Sequence, residues 1–218
     1  MDNGDITQVF KILRESIAPF TTPAVTLVSE TTRDPFKVLI SCILSLRTQD
    51  GTTGAASERL FKLADSPVKM GQLSTTTIEE AIYPVGFYRN KAIVIKDICI
   101  TLAERYDSIV PDSIDELLTL KGVGRKTANL VVTMGYGKPG ICVDTHVHRI
   151  TNRWGYVETK KPDETEFVLR KLLPKRYWIP INDLLVTFGQ NICKPISPFC
   201  SKCRLVDYCG KVDVVKSR

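Results

Sequence analysis

Apolar residues recur every three or four positions along nearly the whole chain, and they almost never alternate with polar ones. That spacing belongs to helices with one buried face and leaves little from which to build a sheet. Over 34–46 it gathers Phe36, Leu39, Ile40, Ile43 and Leu44 on one face. Over 91–106 it sets Ile95, Ile98, Ile100 and Leu102 among Lys96, Asp97, Glu104 and Arg105. Ser113 with Glu116 forms a capping box that opens a short helix through Leu118. Further helices are expected over 125–134, from 144 to about 152, over 164–173 and over 182–190. The Asp50-Gly51 pair leads into a stretch that would make a poor strand. The predicted fold class is all-α, with many short helices.

At 218 residues the chain suits one compact body or two small lobes. Its 43% hydrophobic and 25% charged residues match soluble globular proteins and argue against disorder. No apolar run approaches the roughly 18 residues needed to span a bilayer. The longest, 38–46, is broken by Ser41 and Ser45. The first ten residues lack the basic and apolar segments of a secretion signal. Membrane and secreted classes are therefore not expected. The net charge of +6 permits a polyanionic partner without demanding one. Between Cys193 and Arg218 six Lys or Arg face two Asp, so most of the excess sits at one end.

Seven cysteines, an odd number, point to a reducing interior. Cys42, Cys99 and Cys142 sit in apolar surroundings and read as small buried hydrophobes. The other four, Cys193, Cys200, Cys203 and Cys209, crowd into 17 residues. That segment has few apolar side chains of its own and needs a staple. Four thiolates satisfy a tetrahedral zinc or the irons of a cubane cluster, and spacing alone leaves both open. Either centre would be structural, because every ligand comes from the protein.

In the run Leu120-Lys-Gly-Val-Gly-Arg-Lys126 a helix ends, the chain turns, and a second helix starts. Gly122 and Gly124 can adopt positive φ and leave room for close approach. Val123 between them would plug into the core. A helix start flanked by Arg125 and Lys126 is an anion site, and phosphate is its natural occupant. The arrangement matches a helix-hairpin-helix that grips the DNA backbone without reading bases. Asp144 follows 18 residues after Lys126. On spacing alone, Asp144 reads as a helix cap and Lys126 as a phosphate partner.

LKGVGRKTANLVV, then VDTHVHRITNR, then the four-cysteine pattern together resemble the endonuclease III family of DNA glycosylases. ISCILSLRTQD and VGFYRNKA add to the likeness, which covers about residues 10–210 in consistent order. The resemblance implies two helical lobes flanking a DNA-binding cleft. One lobe would be a six-helix barrel over 28–138 that ends with the hairpin. The other would join 1–27 to 139–218 and carry a [4Fe–4S] cluster on Cys193, Cys200, Cys203 and Cys209. The implied partner is duplex DNA with a damaged or abasic site, met by a monomer in a prokaryotic cytosol. The implied catalytic residues are Lys126, a nucleophile, and Asp144, a carboxylate beside the sugar. Partial burial and the cations Arg125 and Lys121 would press the amine toward its neutral form, while a nearby Asp144 would oppose them.

Further implied DNA contacts are Arg47, Val85 and Phe87 as wedges in the base stack, the hairpin residues, His146, and Lys202 with Arg204 toward phosphates. Three positions depart from the family's habit. Residue 47 is Arg where Gln is frequent, residue 121 is Lys where Pro is common, and residue 148 is His where an apolar or aromatic side chain is expected. His146 and His148 are two apart and make a poor metal pair on a helix. Lys126 favours the bifunctional branch acting on oxidised pyrimidines. The alternatives are an alkyl-purine or mismatch glycosylase of the same fold, or a zinc-stapled module that binds DNA without catalysis.

Overall fold

The computed structural model describes residues 4–20, 24–32 and 34–218, and these are helical with no strand among them. In chain order the helices are α1 (Ile6–Ile17), α2 (Ala24–Thr32), α3 (Pro35–Ser45), α4 (Asp50–Leu63), α5 (Pro67–Gln72) and α6 (Thr75–Ile82). They continue with α7 (Tyr88–Arg105), α8 (Ile114–Leu117), α9 (Arg125–Leu130), α10 (Thr145–Arg153), α11 (Pro162–Leu172) and α12 (Pro180–Asn191). No helix is long and apolar enough to cross a membrane among these residues. The chain divides into two compact units, one of Ala24–Gly140 and one of Met1–Pro23 with Ile141–Arg218.

The 24–140 unit is built around α3. Asp34 caps it by accepting from the Phe36 and Lys37 amides, and Pro35 stands in its first turn. The expected apolar face is there, but Val38, Ser41 and Cys42 are buried too, so the helix is covered nearly all round. Helices α2, α4, α7 and α9 pack against it. The 50–63 stretch, unpromising as a strand, is α4. The Ser113 half of the box forms, its Oγ accepting from the Glu116 amide at 3.3 Å, while the Glu116 carboxylate takes the Ser113 hydroxyl at 2.6 Å rather than the Ser113 amide.

The helix expected over 125–134 is α only as far as Leu130, and Val131–Gly135 winds as a π-helix. Thr133 Oγ1 donates to the Asn129 carbonyl at 2.8 Å, so the widened turn keeps its carbonyl satisfied. A Cβ on Gly135 would lie 3.0 Å from Pro35 Cα, which shows how closely this turn is pressed onto the start of α3.

The second unit has its own core. α1 lays Ile6, Val9, Phe10 and Leu13 along one stripe. Phe10 stacks on Tyr177 at 4.1 Å, and Val147, Ile150, Trp154, Leu169, Leu185 and Phe188 complete the interior. The two ends of the chain thus fold as one body.

Candidate functional site

The glycine turn divides its labour between its two glycines. Gly122 takes φ +78°, and a Cβ there would sit 2.7 Å from Val94 Cγ1. Gly124 does not adopt positive φ. It caps α9 in an extended conformation (φ −100°, ψ 174°), and a Cβ there would meet nothing within 4 Å. Gly122 therefore makes the bend, while Gly124 keeps the approach to the helix start open. Val123 is buried as expected and donates its amide to the Leu120 carbonyl.

Arg125 and Lys126 form the first turn of α9 and are half-buried; Thr127, Ala128 and Asn129 behind them are buried. Asn129 Nδ2 donates to the Arg125 carbonyl at 3.1 Å. Cys42 of α3 lies close enough to Lys126 to feel its charge. Burial pushes the Cys42 thiol up to about 12, and the Lys126 charge opposes that rise. Lys121 is not spare charge for the turn, because its ammonium pairs with Asp97 at 2.6 Å.

Two loops of the same unit meet beside each other. Arg47 follows α3 with φ +53°, and Phe87 precedes α7 with φ +58°. Both are exposed, and the guanidinium lies 5.6 Å from the ring centroid. Val85 corrects the expectation of a wedge. It is 1% exposed, part of the core rather than a side chain offered to a partner.

In the other unit Asp144 caps α10. Its Oδ1 accepts from the His146 amide at 2.8 Å and the Val147 amide at 2.9 Å. His146 is half-buried against α12, where Gly189 leaves it room. His148 bonds Thr165 Oγ1 through Nδ1 at 2.7 Å, which explains how a polar residue occupies that place.

The four clustered cysteines, all free, line one small cavity of about 20 Å³. Trp154, Phe188, Ile192, Phe199 and Val206 supply its apolar wall. Burial pushes the Cys203 thiol up to about 11 and raises Cys209 as well. Arg153 donates to Cys193 Sγ at 3.4 Å, and the Lys211 amide donates to Cys209 Sγ at 3.4 Å. The Cys209 sulfur in turn donates to the Arg153 carbonyl at 3.4 Å. No group of three or more His, Cys, Asp or Glu among the described residues is arranged to hold a metal ion.

A family model described as HhH-GPD superfamily base excision DNA repair protein matches residues 40–175. The chain is also 49% identical over 176 residues to endonuclease III of Thermotoga maritima, covering 81% of this chain and 83% of that protein. It belongs to the endonuclease III family. Two solved endonuclease III–DNA complexes share its fold. The non-covalent complex has a TM-score of 0.85 at 32% identity, covering 97% of this chain and 96% of that one. The trapped covalent intermediate has a TM-score of 0.77 at 37% identity, covering 82% and 84%.

Two side chains of this endonuclease III relative escaped the sequence reading. Lys91, only 7% exposed, reaches under the Arg47 loop. Arg153 donates to the Lys194 and Pro195 carbonyls at 2.7 and 2.6 Å and to the Cys193 sulfur, and so straps the start of the cysteine segment. Lys91 stands within VGFYRNKA and Arg153 ends RITNR, but neither motif signals that its cation turns inward. Arg204, expected to face phosphates, instead pairs with Glu15 at 2.8 Å; Lys202 is exposed.

Proposed function

We propose that this chain is a bifunctional base-excision enzyme that removes oxidised pyrimidines from duplex DNA and then cuts the strand. Lys126 is its nucleophile and Asp144 its supporting carboxylate. The carrying observation is the hairpin, where a lysine sits half-buried on the first turn of a helix whose entrance is kept open by Gly124. A relative trapped as a covalent intermediate with DNA supports the same chemistry.

A base stacked in a duplex hides its sugar, so the nucleotide must be turned out before attack. The hairpin grips backbone phosphate with Gly122, Gly124 and Arg125, and Arg47 and Phe87 fill the gap left in the stack. Once its ammonium has given up a proton, Lys126 attacks C1′ as the glycosidic bond breaks, and the base leaves with its electron pair. Positive charge grows on the sugar in that transition state, and the Asp144 carboxylate offsets it. The C1′–O4′ bond then breaks with its electron pair going to the oxygen, which takes up the proton that the nitrogen gives up, and a Schiff base remains. This acidifies the C2′ hydrogen, and its removal expels the 3′ phosphate by β-elimination.

Cys193, Cys200, Cys203 and Cys209 hold a [4Fe–4S] cluster in this reading, and the 1–23 and 141–218 unit is the lobe that carries it. Four thiols lining one apolar-walled cavity, together with the kinship to endonuclease III, support a cluster rather than one zinc ion. When bound, the cluster supplies a structural staple; no step above moves an electron. The free thiols suit a reducing compartment.

The test is borohydride trapping on duplexes carrying thymine glycol, a uracil mismatch or a methylpurine. A covalent adduct is expected on thymine glycol and should be lost in Lys126→Ala. An undiminished adduct in that variant rules Lys126 out, and a preference for methylpurine or the mismatch moves the chain to another branch. A yellow-brown protein containing iron supports the cluster, and a colourless one containing zinc removes it.

A further inference from the structure

We infer that Lys91 is a positioning residue that locks the Arg47 and Phe87 loops into one rigid probe of the base stack; this rests on the function proposed above. Lys91 lies on the first turn of α7, one turn beyond Phe87, and its amide donates to the Phe87 carbonyl at 3.0 Å. Its ammonium is buried and donates to the Leu44 carbonyl at 2.8 Å, the Leu46 carbonyl at 2.5 Å and Thr48 Oγ1 at 3.1 Å. An ammonium has three N–H donors, and these three acceptors use them all. Two of the acceptors are carbonyls at the end of α3, where a cation also meets the negative end of the helix dipole.

Thr48 carries the link across. The same Oγ1 that accepts from Lys91 also accepts from the Gly86 amide at 3.2 Å. Gly86 comes so near the first loop that a Cβ would lie 2.5 Å from the Arg47 carbonyl oxygen. Arg47 and Phe87 both hold left-handed backbone, which non-glycine residues keep only where their surroundings over-determine it. The Lys91–Thr48–Gly86 chain supplies that constraint from within. Lys91 thus touches no base, yet it fixes the spacing of the two side chains that do.

The test compares two substrates. One is thymine glycol in duplex DNA, where the probe must enter a stack; the other is an abasic site in a single strand, where there is no stack to enter. Lys91→Met should slow single-turnover excision from the duplex about a hundredfold, as expected for a misplaced side chain. It should leave strand cleavage at the single-stranded site within about twofold, because chemistry at Lys126 is untouched. Lys91→Met empties a buried network and risks misfolding, so Thr48→Val is the second variant. It removes one acceptor and should show the same split at about fivefold. Equal losses on both substrates, or no loss on either, in a folded variant overturn the inference while leaving the function intact. A wild type that forms no adduct with either substrate overturns the function and the inference together.

Discussion

Gly189 of α12 lies so close to His146 that a Cβ there would stand 2.3 Å from the imidazole Nδ1 and 2.9 Å from Arg149 Nη2. The His146 amide in turn donates to Asp144, so this glycine indirectly fixes the cap of α10. Gly189→Ala should therefore destabilise the protein by about 1–3 kcal/mol, as overpacking does. It should also slow base release through the displaced cap. Urea denaturation and single-turnover kinetics check the two effects, and an unchanged midpoint would contradict the close packing.

Asp144 caps α10 and, in the proposed mechanism, also offsets charge on the sugar, and substitution can separate the two. Asn keeps an oxygen for the two amides, whereas Ala loses the cap at a cost of about 0.5–2 kcal/mol. Asp144→Asn should hold stability within about 0.5 kcal/mol while base release slows sharply. Asp144→Ala should lose both stability and rate. If the Asn variant released base at the native rate, the carboxylate would be a cap and nothing more.

Surface cations should differ in their weight. Lys202 is exposed, while Arg204 must leave Glu15 to reach a phosphate. Lys202→Ala should lower the salt slope of DNA binding by about one, and Arg204→Ala by less. Binding isotherms across a salt series decide the order, and a larger drop for Arg204 would reverse the ranking.

Burial pulls Lys91 down to about 8 from its ordinary 10.5. Between those values the unfolded chain binds the proton and the folded chain has released it. Stability owed to this residue therefore rises with pH across that window and is lowest below about 8. The stability difference between wild type and Lys91→Met should shift in favour of wild type as pH climbs through the window. Denaturant titrations at several pH values would show it, and a shift the other way would mean that Lys91 keeps its charge when folded.

Much of the fold was legible because period and caps act locally. The Ser113 cap and the Asp144 cap are short-range geometry, and both were read from spacing. The π turn after Leu130 was hidden, and so was the close approach of its Gly135 to Pro35, far away in sequence. Gly124 meets half of its reading: it leaves open space at the helix start, but on extended backbone rather than at positive φ. Val85 stood in a motif that suggested contact, and only packing reveals that it points inward. The ion pairs of Lys121 and Arg204 join residues 24 and 189 apart in sequence, beyond the reach of any local pattern.

The unit that holds the cysteine cavity is assembled from both ends of the chain, with the hairpin unit inserted between them. During synthesis, domains fold as they emerge, at about 5–20 residues per second. The inserted body can close once residue 140 has left the ribosome. Helix α1, made first, must wait with its apolar stripe uncovered until α12 arrives. The cysteine segment emerges later still, so a nascent chain has a finished hairpin before its four-cysteine cavity exists.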